Sequence, residues 1–246
     1  MTRRMAVVLA AGKGTRMNSD LPKVLVSARN RPLIQYVIDA LREARVDQIV
    51  VVVGYQADRV RATLADELNC QFVEQAEQLG TGHAVRMCAE QLSEHHGPVL
   101  IVTGDSPLTQ ATSIEALFAD YEREPAACVL GTLHKPNPDG LGRIVRDASG
   151  QFQAIVEQKD ADPEQQAITE VNMSTYLFDS QRLLDALSRI ENDNRQGEYY
   201  LTDCPGIMKG QGLEVRALPI LQPCEALSVN TLDDLAAVEA ALKEMS

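Results

Sequence analysis

An α/β fold of three layers around a mainly parallel sheet is predicted for this 246-residue chain, on three observations. Residues 5–11, 49–53 and 99–103 are short apolar runs, rich in β-branched side chains, of the length expected of strands buried on both faces. Segments with apolar residues at helical spacing alternate with them. Each run also gives way to glycine (Gly12, Gly54, Gly104), which suits a chain leaving the carboxyl end of a strand.

In order, the first strand at 5–11 leads into a loop. Residues 32–44 then read as a helix with Pro32 near its start. The strand at 49–53 is followed by an amphipathic helix at 57–68, a short strand at 70–73, a helix at 84–92 and the strand at 99–103. From about residue 130 the rhythm changes. Residues 129–133 read as a strand, and a loop rich in Pro, Asn and Gly follows at 135–142. Residues 144–146 and 152–157 flank Asp147-Ala148-Ser149-Gly150 in a hairpin pattern. A polar surface loop is expected at 159–167, a strand at 171–178, and helices at 181–190 and 199–209. The last two strands are expected at 213–218 and 226–229. An amphipathic helix closes the chain at 231–244, with Thr231 as N-cap and Asp233 and Asp234 near its positive end. No internal repeat or long linker interrupts this order, so one domain over 1–246 is expected.

Composition narrows the possibilities. With 45% hydrophobic residues the chain can bury a sizeable core. Net charge is −12, with 23 basic against 35 acidic residues, which argues against general attraction to nucleic acid or an anionic membrane. The five cysteines are scattered and form no Cys-x-x-Cys pair, so reduced, mostly buried thiols are expected rather than a zinc or redox site. The apolar run after Arg3 and Arg4 imitates a secretory leader, but it runs into a loop that reads as functional, and no stretch approaches the roughly twenty apolar residues of a membrane span. A soluble, cytoplasmic protein is the expectation, and the sequence assigns no oligomeric state.

Against this acidic background, the loop after the first strand gathers positive charge. Leu9-Ala10-Ala11-Gly12-Lys13-Gly14-Thr15-Arg16-Met17 is followed by Leu21-Pro22-Lys23. Glycines let the backbone approach a ligand closely, and successive N–H groups of such a turn form a concavity for anions. Pro22 stiffens the segment that presents Lys23. The loop suits a polyphosphate. It is not a Walker loop, because no Gly-Lys-Ser or Gly-Lys-Thr occurs at the required spacing. Nor is it the dinucleotide fingerprint, because Met17 stands where the third glycine would fall. Two further patterns carry chemistry. Gly80-Thr81-Gly82 opens a helix and offers backbone N–H groups, with Gln75 just upstream and His83 read as structural. Asp105 follows a buried strand and Gly104, where a carboxylate faces the ligand side of an open α/β sheet. No second carboxylate follows it, which leaves Asp105 as a ligand for a hard cation such as Mg²⁺.

The pattern Leu-x-x-Gly-x-Gly-Thr-Arg-Met…Leu-Pro-Lys resembles the signature of the sugar-1-phosphate nucleotidyltransferases, and most closely the bacterial N-acetylglucosamine-1-phosphate uridylyltransferases. The resemblance covers nearly the whole chain. It implies a Rossmann-like fold with a mixed, mostly parallel sheet, in which about 1–130 binds nucleotide and about 131–246 supplies the acceptor-sugar pocket. It implies transfer of a uridylyl group from UTP to a sugar-1-phosphate with release of pyrophosphate. In the family's scheme Arg16 and Lys23 are catalytic, and Leu9, Ala11, Gly12, Lys13, Gly14, Gln75, Gly80 and Thr81 bind the nucleotide, Gln75 reading the uracil. Gly142, Glu157, Asn172, Tyr200 and Thr202 would bind the acceptor. Asp105 and Asn230 would hold Mg²⁺. Glucose-1-phosphate with UTP or dTTP is the nearest alternative pair, and a non-catalytic sugar-nucleotide sensor is the alternative of another class.

Four positions depart from the family's usual pattern. Met173 and Ser174 stand in an Asn-Thr-Gly segment, Ser228 replaces the glycine before Val-Asn, and Leu141 replaces an aromatic residue. They fall in the acceptor and metal region and bear on which sugar is used. The chain ends after its terminal helix, which suggests a protein without the acetyltransferase repeats of the bifunctional members.

Overall fold

A computed structural model of the chain describes residues 3–14 and 20–245. Its elements are β1 (Met5–Ala10), β2 (Ser27–Ala28), β3 (Arg31–Pro32), α1 (Leu33–Glu43), β4 (Gln48–Val53), α2 (Ala57–Thr63) and β5 (Cys70–Glu74). They continue with α3 (Thr81–Arg86), α4 (Ala89–Glu94), β6 (Pro98–Thr103), α5 (Ala111–Arg123), β7 (Cys128–His134), β8 (Gly142–Arg146) and β9 (Phe152–Val156). The last are α6 (Pro163–Gln166), β10 (Glu170–Asp179), α7 (Ser180–Arg189), α8 (Asp203–Gly210), β11 (Val215–Leu218) and α9 (Leu232–Glu244).

Seven strands run across one sheet in the order β11-β7-β10-β6-β1-β4-β5, and the β8–β9 hairpin joins it through β10. The pairs β6–β1, β1–β4 and β4–β5 are parallel. β10 is antiparallel to both β6 and β7, and β11 is parallel to β7. The sheet is thus mixed and mostly parallel, with β10 reversed at the point where the second half of the chain is grafted on. Side chains of β1 alternate between two cores, as a strand requires. Met5 and Val7 pack with Val85, Leu92, Leu183 and Met208 on the face covered by α3, α4, α7 and α8. Ala6, Val8 and Ala10 pack with Leu41, Val60, Leu117 and Phe118 on the face of α1, α2 and α5. Burial on both faces explains why the first three strands read as unbroken apolar runs.

Several elements differ from the sequence expectation. The helix expected at 84–92 is two short ones, α3 and α4, broken around Cys88, and that at 57–68 stops at Thr63. The helix expected at 199–209 begins at Asp203, because Tyr199 is held extended by backbone hydrogen bonds to the 79–82 segment. The polar loop at 159–167 contains α6, started by an Asp162–Gln165 capping box. α5 was not expected, although Ala111, Ile114, Leu117 and Phe118 form its buried stripe. At the C-terminal helix, Thr231 is the N-cap, in a capping box with Asp234.

The strand expected at 226–229 is absent. A 3₁₀ turn covers Pro223–Ala226, where proline removes a ladder donor and Glu225 turns inward. Glu225 is 7% exposed, and its carboxylate accepts from Gln222 N (2.7 Å), Gln110 N (3.0 Å) and Ser113 Oγ (2.5 Å). Burial pushes its pKa up, while those three bonds oppose the rise. The turn therefore straps the segment before Asn230 to the start of α5. Glu225→Ala would leave two backbone N–H groups without acceptors. Urea denaturation is expected to show a loss of roughly 2–4 kcal/mol, with Glu225→Gln in between. A loss under about 1 kcal/mol would show that the strap carries little.

Candidate active site

The carboxyl ends of β1 and β6 open onto a cleft of about 350 Å³. Its walls include Leu9, Ala11, Gly12 and Gly14 from the glycine loop, Gln75, Gly80 and Thr81 from the segment before α3, and Lys23 and Asp105. Gln78, Thr103 and Glu198 also line it and were not singled out in the sequence, since nothing in their local pattern marks them. Both shores of the glycine loop are tied to one dipeptide. Tyr55 N donates to Ala11 O (3.1 Å), and Gln56 Nε2 donates to Asp20 O (2.7 Å). Gln56 makes that bond from a left-handed backbone with φ 49°, a conformation that costs a non-glycine residue about 1–3 kcal/mol and is kept where the surroundings demand it. Lys13 is exposed and does not line the cleft; its ammonium lies 5.2 Å over the Tyr55 ring. Arg16 lies outside the described residues, as do Thr15 and Met17.

Lys23, Asp105 and Asn230 meet at one point although they are far apart in sequence. The Lys23 ammonium forms an ion pair with Asp105 Oδ2 and donates to Asn230 Oδ1 at 2.8 Å. The Asn230 amide donates to Ser228 Oγ (3.2 Å), so its oxygen faces the lysine. Val229 N donates to Asp105 O (3.3 Å), which joins the two backbones just behind the side chains. Ser228, a departure from the family pattern, thus helps to orient Asn230.

Gln75 is buried, and both Nε2 hydrogens are taken, by Gly80 O (3.1 Å) and His83 Nδ1 (3.0 Å). The carbonyl end of its amide is left to face a ligand. His83 has the structural role expected of it. The glycines at 80 and 82 serve a purpose the sequence did not reveal. Gly82 N donates to Tyr199 O (2.8 Å), and Tyr199 N donates to Leu79 O (2.9 Å), so the 198–202 segment lies directly against them. The N–H of Gly82, expected to be free for a ligand, is spent there. Gly80 is the helix N-cap, and Thr81 Oγ1 accepts from Leu201 N (3.1 Å).

Beyond this segment lies a second cavity of about 540 Å³, lined by Glu157, Tyr200 and Thr202 together with Asp160, Asp203 and others. Thr202 Oγ1 donates to Glu157 Oε1 (3.2 Å). Gly142 faces both Glu157 and Asn172: a Cβ there would sit 3.5 Å from Glu157 Oε1 and 3.5 Å from Asn172 Cβ. Burial raises the Glu157 pKa against the Thr202 bond, and burial together with Asp160 raises that of Asp203. Burial and the nearby carboxylates push the Tyr200 hydroxyl up to about 12. Asn172 sits with this group but lines neither cavity. Its amide donates to Tyr176 OH (2.6 Å), and its oxygen accepts from Ser174 N (3.2 Å), bracing a bulge in β10. Ser174 has φ 55°, which is why glycine is usual there. Leu141 and Met173 pack on a small core of Leu133, Val171 and Leu221.

Comparison with known proteins fits this geometry. Residues 6–204 match the MobA-like NTP transferase domain. The chain belongs to that family. Among curated relatives it is 45% identical over 241 residues to the bifunctional protein GlmU of Lactococcus lactis (98% of this chain, 52% of that one). It is 46% identical over 245 residues to that of Levilactobacillus brevis (100% of this chain, 52% of that one). The chain thus spans about half the length of the curated relatives it matches. Among solved structures, a UDP-glucose pyrophosphorylase in complex with UDP-glucose superposes with a TM-score of 0.79 at 15% identity, covering all of both chains. A Bacillus anthracis protein assigned as a glucose-1-phosphate thymidylyltransferase superposes with a TM-score of 0.80 at 15% identity, covering 97% of this chain and 94% of that one. These two likenesses speak to the nucleotidyltransferase fold alone. Among the described residues no helix is long and apolar enough to cross a membrane.

Proposed function

We propose that this chain transfers the uridylyl group of UTP to N-acetylglucosamine-1-phosphate, forming UDP-N-acetylglucosamine and pyrophosphate. The observation that carries the reading is the convergence of Lys23, Asp105 and Asn230 beside the glycine loop. Asp105 Oδ2 and Asn230 Oδ1 contact the same ammonium, so two hard oxygens already converge on one cationic point. Among the described residues no cluster of three or more His, Cys, Asp or Glu could hold a metal. A pair of protein oxygens completed by phosphates and water is the usual environment of Mg²⁺, so the residues fit it. When bound there, Mg²⁺ would neutralise phosphate charge.

The rest is the work of the chain's own groups. The backbone of Gly12 and Gly14 cradles the triphosphate, and the family resemblance assigns Lys13 and Arg16 to its outer phosphates. The Gln75 carbonyl accepts the N3–H of uracil, a proton that cytosine lacks. Glu157, Tyr200 and Thr202 line the acceptor pocket, Gly142 and Asn172 back it without lining it, and the 198–202 segment aligns it with the nucleotide. Lys23 neutralises charge developing at the α-phosphorus as the sugar phosphate attacks in line. No general base is needed, because the attacking phosphate is already an anion.

Pyrophosphate release with Mg²⁺ tests this across UTP, dTTP, CTP and GTP against N-acetylglucosamine-, N-acetylgalactosamine- and glucose-1-phosphate. Turnover confined to UTP with N-acetylglucosamine-1-phosphate is expected. Turnover with another sugar would keep the chemistry and move the specificity to the Leu141, Met173 and Ser174 region. Silence from folded protein that still binds UTP would refute catalysis in favour of a sensor.

A further inference from the structure

We infer that Lys23 is the resident cation of the Asp105–Asn230 pair, and that a divalent ion binds only by expelling its ammonium towards the nucleotide phosphates. The inference rests on the metal site proposed above. Lys23 Nζ engages the same two oxygens that would hold the metal, and the Lys23 and Asp105 side chains are only 15% and 19% exposed. The pair is held together behind the ammonium. Asn230 is fixed by Ser228 Oγ, and Asp105 is joined through its backbone to Val229.

The movable part is the lysine side chain. Its backbone starts a 3₁₀ turn (Lys23–Leu25) that follows Pro22 and is anchored by buried Val24 and Leu25. A singly and a doubly charged cation a few ångströms apart in a partly dry site repel strongly, so the two compete for the pair. Lys23 also lines the nucleotide cleft, so an ammonium leaving the pair enters the space where phosphates would lie. Two consequences follow. Metal binds weakly before nucleotide, because it must break an ion pair. Nucleotide and metal also favour each other, because the phosphates give the expelled ammonium a new anion, and such coupling is reciprocal.

The test is Mn²⁺ binding to nucleotide-free protein, followed by the paramagnetic signal of free Mn²⁺, with thermal melts to confirm folding. Lys23→Met and Lys23→Gln are expected to bind Mn²⁺ at least tenfold more tightly than the natural chain. The double variant Lys23→Met/Asp105→Asn is expected to lose that gain. Equal or weaker binding in both single variants overturns the inference and leaves the metal site standing. A gain that survives Asp105→Asn overturns the metal site itself. A second readout uses the unaltered chain: saturating Mg²⁺ should speed modification of Lys23 by an amine-directed acylating reagent, read by peptide mass spectrometry. An unchanged rate overturns the inference.

Discussion

In an Asp105→Ala protein, pyrophosphate release is expected to fall by roughly three orders of magnitude, about 4 kcal/mol of transition-state stabilisation. The fold should survive, because the backbone carbonyl of Asp105 still receives Val229 N and the strand that carries it is untouched. The loss has two sources: the hard oxygen offered to a metal, and the partner that holds Lys23. Asp105→Asn separates them, since it keeps an oxygen at the same place and removes the charge. A milder loss in Asn than in Ala would show that geometry contributes beside charge. The sequence expectation puts Arg16→Ala in the same class of loss. Steady-state rates near those of the natural chain, in a protein with unchanged melting, would remove Asp105 from the site.

Much of this was legible in the chain. Two-sided burial makes β1, β4 and β6 read as apolar runs, and the glycines that end them mark the ligand edge. The Thr231 cap and the 147–150 turn were legible because their chemistry is local. Direction was not. The apolar stretch Tyr176–Phe178 of β10 is buried like the parallel strands, and nothing in Glu170–Asp179 says that it runs the other way. Nor was the fate of residues 226–229, which look like a strand until Glu225 is seen to accept from α5. The site divides in the same way. Lys23, Asp105 and Asn230 were each identified from local pattern or resemblance, but their meeting at one point depends on the sheet. Asn172 reads as a ligand in sequence and spends its amide within β10 in the structure.

The second large effect is expected at Gly80. Its φ of +108° lies where an L side chain is strained, and an added Cβ would sit 2.5 Å from Tyr199 O and 2.9 Å from Tyr199 N. Both are backbone atoms, and both are fixed: Tyr199 O accepts from Gly82 N, and Tyr199 N donates to Leu79 O. The clash cannot be relieved by turning a side chain, so the 79–82 and 198–202 segments must part. Gly80 O also holds Gln75 Nε2, so the shift reaches the group proposed to read uracil. Gly80→Ala is therefore expected to cost roughly 2–4 kcal/mol in urea denaturation and to raise the KM for UTP at least tenfold. Gly140 and Gly150 give the internal control. They share the left-handed backbone (φ +80° and +81°), but an added Cβ there meets nothing within 4 Å. Alanine at either should cost about 1 kcal/mol of local strain and leave the KM unchanged. If Gly80→Ala behaved like these two, the close approach of Tyr199 would not be what requires glycine, and the junction between the two cavities would be looser than its hydrogen bonds indicate.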